Sequence, residues 1–177
     1  MKHIDWNSVK EAKGFEKLPM GGYVCGITAV EDVPDKEQLR FEFDIAEGEF
    51  KNTYRSLYEA KNFWAGKFSK SYKKEAQGYF KTMLTAFEKS NKGFVFNDDE
   101  KVFKRKYIGL VIGYREYLGN DGTVKEGVDV QGFCSVDDIH SGNFKAPELK
   151  KLKETAPAQP TADAFAGIDS DDDLPFD

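Results

Sequence analysis

Cysteine and histidine are scarce in this sequence, which argues against most metal sites and thiol chemistry. The 177 residues include two cysteines and two histidines. Cys25 and Cys134 stand far apart and lack the Cys-x-x-Cys spacing of structural zinc sites. Both fall in segments that we expect to be strands, where a small buried thiol is the ordinary interpretation. We therefore predict no bound metal and no other cofactor.

Motifs of the common catalytic classes are missing as well. The sequence has no P-loop, no nucleophile elbow and no His-Glu-x-x-His pattern. His140 follows two aspartates in segment 137–140, and these side chains could ligate a metal, but acids at a helix start are the more ordinary explanation. The sequence therefore predicts a binding protein rather than an enzyme.

Long apolar segments are the third absence. The longest apolar run, residues 108–112, is far too short to span a bilayer. The first residues lack the apolar region of a signal peptide, so a cytoplasmic protein is expected. Hydrophobic residues make up 40% of the chain and charged residues 32%, a composition that suits a globular domain with a proper core.

Charge is distributed unevenly along the chain. The net charge is -5, but residues 155–177 carry six acids and no base, which leaves 26 bases and 25 acids in the remainder. Residues 61–106 hold twelve bases, five acids and ten of the 25 aromatic residues. We predict a folded domain over residues 1–154 and a disordered acidic tail over residues 155–177, because the tail has too little apolar surface to offset its ordering entropy.

Hydrophobic periodicity predicts five strands and a helical insert. Period-two alternation is clearest at 39–45 and 107–118, and further strands are expected at 23–30, 50–55 and 123–136. Ser56 to Glu59 fits a capping box that opens a short helix. A second helix is predicted from apolar residues that share one stripe, namely Ala76, Tyr79, Phe80, Met83, Leu84 and Phe87.

This order predicts a mainly β protein with the OB-fold, a five-stranded Greek-key barrel whose helix lies between strands three and four. An unrelated five-stranded α+β meander would give a similar string of elements. On an OB-fold, single-stranded nucleic acid needs cations for phosphates and exposed aromatic rings for bases. The candidate residues for this role are Arg40, Lys51, Tyr54, Arg55, Trp64, Lys104, Arg105, Lys106, Tyr107, Arg115, Tyr117 and Lys125.

The C-terminal run resembles a known recognition peptide. Asp171, Asp172, Asp173, Leu174, Pro175 and Phe176 are similar to the acidic Asp-Asp-Asp-Ile-Pro-Phe tip of bacterial and phage single-stranded-DNA-binding proteins. Leu174 replaces the isoleucine, and an additional Asp177 follows Phe176, whereas the family's terminal carboxylate is on the phenylalanine itself. The resemblance implies that this tip recruits replication or recombination proteins. A solvated acidic terminus that only aids solubility is the alternative.

The body shows a second resemblance. Residues 21–24, Gly-Gly-Tyr-Val, and residues 141–149, Ser-Gly-Asn-Phe-Lys-Ala-Pro-Glu-Leu, look like elements of small phage and prophage proteins that are thought to include OB-fold DNA binders. The resemblance implies binding of single-stranded DNA without sequence preference, in phage or mobile-element replication and recombination. The alternative is a phage adaptor whose OB-like body binds protein, and a sugar-binding OB domain is a more distant one. A homo-oligomer is compatible with either interpretation.

Overall fold

The computed structural model describes residues 2–5, 7 and 17–153. Within these residues, the strands are β1 (Gly21–Val33), β2 (Gln38–Ile45), β3 (Lys67–Ser71), β4 (Tyr107–Leu118) and β5 (Val124–Cys134). The α-helices are α1 (Thr53–Lys61), α2 (Gln77–Ser90) and α3 (Val136–Ser141). The strands form one antiparallel sheet in the order β3-β2-β1-β4-β5. The prediction of a mainly β protein is confirmed.

Strand β1 connects the two halves of the sheet. Its N-terminal half, Gly21 to Gly26, pairs with β4, and its C-terminal half, from Cys25 to Val33, pairs with β2. The register shifts between Ile27 and Ala29, which marks an irregularity of the β-bulge type. A bulge bends its strand and increases the local twist, so β1 turns from one half of the sheet toward the other. The two edge strands, β3 and β5, are thereby brought near each other.

The core lies between the concave face of the sheet and helix α2. Alternate residues of β2 and β4 point inward, and Phe41, Phe43, Ile108, Leu110 and Ile112 are completely or almost completely buried. Helix α2 covers them with Phe80, Met83 and Phe87. Phe103 fills the remaining space, with its ring centroid 5.2 Å from that of Phe41 and 4.9 Å from that of Phe87.

The predicted third strand at 50–55 is wrong. That segment contains a turn and the start of helix α1, and the third strand lies later, at Lys67–Ser71. Helix α1 begins at Thr53, so the predicted capping box at Ser56 is also wrong. The first backbone amides of this helix have no partner within the helix and bond to another element instead. The buried Asp44 carboxylate on β2 accepts hydrogen bonds from Tyr54 N at 2.9 Å and from Arg55 N at 3.0 Å.

The described C-terminal segment folds back over the outer face of the sheet. Phe144 packs on Gly22, where an added Cβ would lie 2.5 Å from its ring, so only glycine leaves room for that ring. The backbone of Lys150 then pairs with the C-terminal half of β4. Its amide donates to Tyr114 O at 2.9 Å, and its carbonyl oxygen accepts from Glu116 N at 2.8 Å. The chain therefore leaves the described region beside the last third of β4.

Two earlier expectations concern what lies beyond or across this fold. The predicted domain boundary at 154/155, the tail over 155–177 and the tip Asp171–Phe176 lie outside the described residues. Among the described residues, no helix has the length and apolar character needed to cross a membrane.

Candidate nucleic-acid interface

A cleft of about 620 Å³ opens where the edge strands β3 and β5 approach each other. Its floor is apolar, and the rings of Phe68 on β3 and Phe133 on β5 meet across it with centroids 5.5 Å apart. Val30, Val128 and Val130 complete this floor. Charged side chains from all five strands form the rim, so the cleft has an aromatic floor with charged residues on its sides.

The rim carries more positive than negative charge. Its cations are Arg40, Lys67, Lys70 and Arg115, and its acids are Glu31, Glu42 and Asp129. Two of the acids are already neutralised by lysines. Lys67 Nζ lies 3.1 Å from Glu42 Oε1, and Lys150 Nζ lies 2.9 Å from Asp129 Oδ2.

The two arginines of the rim keep their charge available. Both side chains are exposed, and neither forms an ion pair with a carboxylate in the described part of the chain. Arg40 faces Glu31 across the β1–β2 register, but these two side chains form no ion pair. A planar guanidinium has five donors in a fork that matches phosphate oxygens, so Arg40 and Arg115 suit a polyanion.

A second cavity, of about 700 Å³, continues the cleft along β5. The two cavities share Lys70, Asp129, Val130 and Phe133, and together they form one groove, here called the seam groove. The second cavity adds the rings of Tyr79 and Phe144, the bases Lys145 and Lys150 and the acid Glu148. Lys70 connects the two parts, with Nζ 5.3 Å from the Phe133 ring centroid and 5.4 Å from that of Tyr79. Cations therefore alternate with aromatic rings along the groove.

Of the twelve candidate residues, the structure brings Arg40 and Arg115 together in the seam groove. They are 75 positions apart in the sequence and line the same cavity because β2 and β4 lie on either side of one bent strand, β1. The others lie in three separate places, around helix α1, beside the start of β4 and at the β4–β5 turn.

Tyr54 contradicts one of the sequence predictions. It was predicted to stack on bases, but its side chain is buried, with 3% exposed, and its ring packs edge-on against that of Phe43, with the ring centroids 5.4 Å apart. Desolvation raises the pKa of its phenol far above the ordinary value. A base cannot reach this ring without unfolding the region around α1.

Three further candidates lie around helix α1, and two of them, Lys51 and Arg55, are in the segment that was predicted to be the third strand. Lys51 is in the turn before the helix and Arg55 is in its first turn, and both are exposed. Trp64 follows the helix, is half-buried and donates from Nε1 to Gly66 O at 3.1 Å. These residues are separate from the groove floor, although Lys67 at the groove rim is only three positions beyond Trp64.

The basic run before β4 flanks the other edge of β1. Lys104 and Arg105 are exposed and Lys106 is half-buried. Their backbone fixes the run to the sheet, since Arg105 N donates to Ile27 O and Ile27 N donates to Lys106 O, each at 2.9 Å. Tyr107 follows and is 52% exposed. Lys106, the last residue of the run, bonds to Ile27 on β1, and Ile27 is two positions before Ala29, which lines the groove.

The remaining candidates lie at the β4–β5 turn. Tyr117 is 45% exposed and covers Gly127 across the hairpin. Lys125 Nζ lies 3.2 Å from Asp121 Oδ2, so its charge is partly neutralised. The turn is further stabilised by Thr123, whose hydroxyl hydrogen bond lowers the pKa of Asp121 more than any other interaction.

Sequence reasoning missed several groove residues. Lys67, Lys70 and Phe133 were not singled out, and Tyr79 was predicted to be in the core but is 47% exposed. The pattern Lys67-Phe68-Ser69-Lys70 carried a signal, since one apolar residue among polar ones is typical of a short edge strand.

The seam groove contains a cysteine as well as carboxylates. Cys134 lines its second part, and burial raises the pKa of this thiol to about 11, so the reactive thiolate is scarce at neutral pH. In the described part of the chain, no three His, Cys, Asp or Glu side chains are grouped so that they could hold a metal ion. No protein-family model matches the chain, and a search of the curated proteins gives no match.

Proposed function

We propose that this protein binds single-stranded DNA along the seam groove without sequence preference. The observation that carries the proposal is the pair Arg40 and Arg115, two exposed guanidinium groups without ion-pair partners in the described residues, above a floor of aromatic rings. Phosphates would bind the arginines and bases would stack on Phe133 and Tyr79. Stacking contributes about 1–3 kcal/mol per base and tolerates any sequence.

The proposal extends to the fold. The strand order β3-β2-β1-β4-β5 and the approach of Phe68 to Phe133 are what a five-stranded OB barrel requires, with the seam groove at the junction of its edge strands. In this proposal the protein is a cytoplasmic single-stranded-DNA-binding protein of phage or prophage type and has no catalytic role. The acidic tip Asp171–Phe176 recruits replication or recombination proteins.

The test compares single-stranded and duplex oligonucleotides at two salt concentrations. We expect labelled oligothymidine to bind more tightly than a duplex of the same length. Each neutralised phosphate gives a log–log salt slope of about -0.7 on a single strand, so three to five contacts give roughly -2 to -3.5. Equal affinity for both forms, or no salt dependence, would refute the proposal and favour an adaptor whose body binds protein.

A further inference from the structure

A second group of aromatic rings lies outside the core and outside the seam groove. Tyr58 at the end of α1 is 47% exposed, and Phe63 in the following loop is 62% exposed. Trp64 is half-buried, and its ring centroid lies 6.1 Å from that of Tyr58. These three side chains are called the α1 platform. Packing inside the protein does not account for the exposure of Phe63.

Local backbone geometry builds the α1 platform. Asn62 ends the helix in the left-handed conformation, with φ of 52°, and its amide donates to Tyr58 O at 2.7 Å. This reversal returns the chain so that Trp64 lies beside Tyr58. The hydrogen bond from Trp64 Nε1 to Gly66 O then fixes the indole. Asparagine tolerates this conformation better than most residues, which suits it to the position.

A short stretch of chain connects the α1 platform to the seam groove. Gly66 O accepts a hydrogen bond from Phe43 N at 2.9 Å, so the chain is already attached to β2 two residues after Trp64. The next residue, Lys67, lines the groove. Three residues of extended chain span about 10 Å, which is close to the spacing of one or two nucleotides. A single-stranded nucleic acid that leaves the groove at Lys67 would therefore reach the α1 platform next.

The charge around the platform favours a polyanion. Residues 51–67 contain four bases, Lys51, Arg55, Lys61 and Lys67, and a single acid, Glu59, and Lys67 is paired with Glu42 from β2. An apolar protein partner docked here would have to desolvate or neutralise these cations, whereas a nucleic-acid backbone supplies the opposite charge. Exposed rings interleaved with bases are also the composition of single-strand binding surfaces.

We propose that the α1 platform is a second stacking subsite for single-stranded DNA, continuous with the seam groove beyond Lys67. This inference rests on the proposed function. The strand would run along the groove, pass Lys67 and place one or two bases on Phe63 and Tyr58. The subsite lengthens the bound segment without adding sequence preference.

The test uses oligothymidines of about five and about fifteen nucleotides, within the range of site sizes of OB domains. Phe63→Ala should weaken binding of the longer oligonucleotide by about tenfold and leave the shorter one unchanged. Phe63→Tyr should bind both like wild type, and Phe63→Leu should behave like Phe63→Ala, since it keeps apolar area but removes the ring. Val95→Ala is the control, because Val95 is 70% exposed in the segment after α2.

A spectroscopic readout separates contact from indirect effects. The chain has two tryptophans, so Trp6→Phe leaves Trp64 as the single reporter. The longer oligonucleotide should quench its fluorescence and the shorter one should not. The inference would be overturned if Phe63→Ala bound both lengths like the wild type. It would also be overturned if Phe63→Leu bound like the wild type and Phe63→Ala lost self-association, because that result indicates a contact between copies of the protein. If the wild type binds neither length, the proposed function itself fails.

Discussion

The seam groove and a pocket beside helix α2 both contain aromatic rings but differ in the sign of their charge. The pocket, of about 450 Å³, lies beside α2 and is lined by Tyr72, Phe80 and Phe96. Its charged residues are Asp32, Asp98 and Glu100, and it has no base. The seam groove is lined by six bases and four acids, and two of those acids are paired with lysines. Aromatic floors alone therefore do not select between the two cavities, and the proposal of a nucleic-acid site in the seam groove depends on their difference in charge.

The largest expected effect comes from removing the two unpaired arginines of the groove. Arg40→Ala combined with Arg115→Ala should reduce the salt slope by about 1.4, which at about 0.1 M salt corresponds to a 25-fold loss of affinity from counterion release alone. Lys92→Ala with Lys101→Ala is the matched control, because it removes the same charge from exposed positions outside the groove. Equal losses in both double variants would show that net charge, and not the groove, controls binding.

The next effect separates the two aromatic floors. Phe133→Ala in the groove should weaken oligothymidine binding by about tenfold, since it removes one stacking ring. Phe96→Ala in the acidic pocket should leave affinity unchanged. Both rings are half-buried, and Phe96 packs 5.3 Å from Phe103 and Phe133 packs 5.5 Å from Phe68. Each variant should therefore lose a similar stability, about 1–2 kcal/mol by urea titration. Weaker binding in Phe96→Ala would contradict this assignment.

A smaller effect is expected at the basic run beside β1. Arg105 has a positive φ of 64°, which alanine adopts poorly, so Lys104→Ala, Arg105→Asn and Lys106→Ala form the better triple variant. Because the run flanks the groove without lining it, we expect the loss of about one phosphate contact, a slope less steep by about 0.7 and affinity reduced about fivefold at 0.1 M salt. The melting temperature should hardly change. Unaltered affinity would identify the run as a solvated face.

Elements that depend on interactions between nearby residues were predicted accurately, and elements that depend on contacts between distant segments were not. β4 was predicted with its bounds, and β2 to within one residue, because one buried face imposes a period of two on consecutive residues. β3 was missed because it is a five-residue edge strand with no fully buried side chain. Helix α1 was placed too late because Asp44, nine positions upstream of its first residue, supplies the hydrogen bonds at its start. No local pattern reveals a cap that comes from another strand.

Which residues come together in the candidate site also depends on contacts between distant segments, namely on the order of the strands in the sheet. The charge and aromatic content of residues 61–106 favoured a segment that contributes Lys67, Lys70 and Tyr79 to the seam groove. Which cations face each other was not visible, since Arg40 and Arg115 meet through pairings that join distant segments. Tyr54 was misassigned for the same reason as α1, because the helix start buries it against Phe43.

The smallest expected effect on DNA affinity comes from the acidic tail, which lies outside the described residues. The described chain ends beside the groove. Leu152 N donates to Glu116 Oε2 at 3.0 Å, and Lys150 pairs with β4 next to Arg115. The sequence predicts a flexible tether from 154 to 171, and a flexible chain of that length has a reach of about 20–25 Å. Asp171, Asp172 and Asp173 would then compete with phosphates for the arginines of the groove.

Deletion of residues 169–177 should therefore raise oligothymidine affinity about two- to threefold at low salt and leave it unchanged at high salt, where charge is screened. The same deletion should abolish capture of replication or recombination proteins. Phe176→Ala is the matched control, since it keeps every charge and should abolish capture alone. Removing Asp177 should strengthen capture if the partner pocket requires the terminal carboxylate on Phe176. A deletion that alters neither affinity nor capture would show that the tail only aids solubility and has no recognition role.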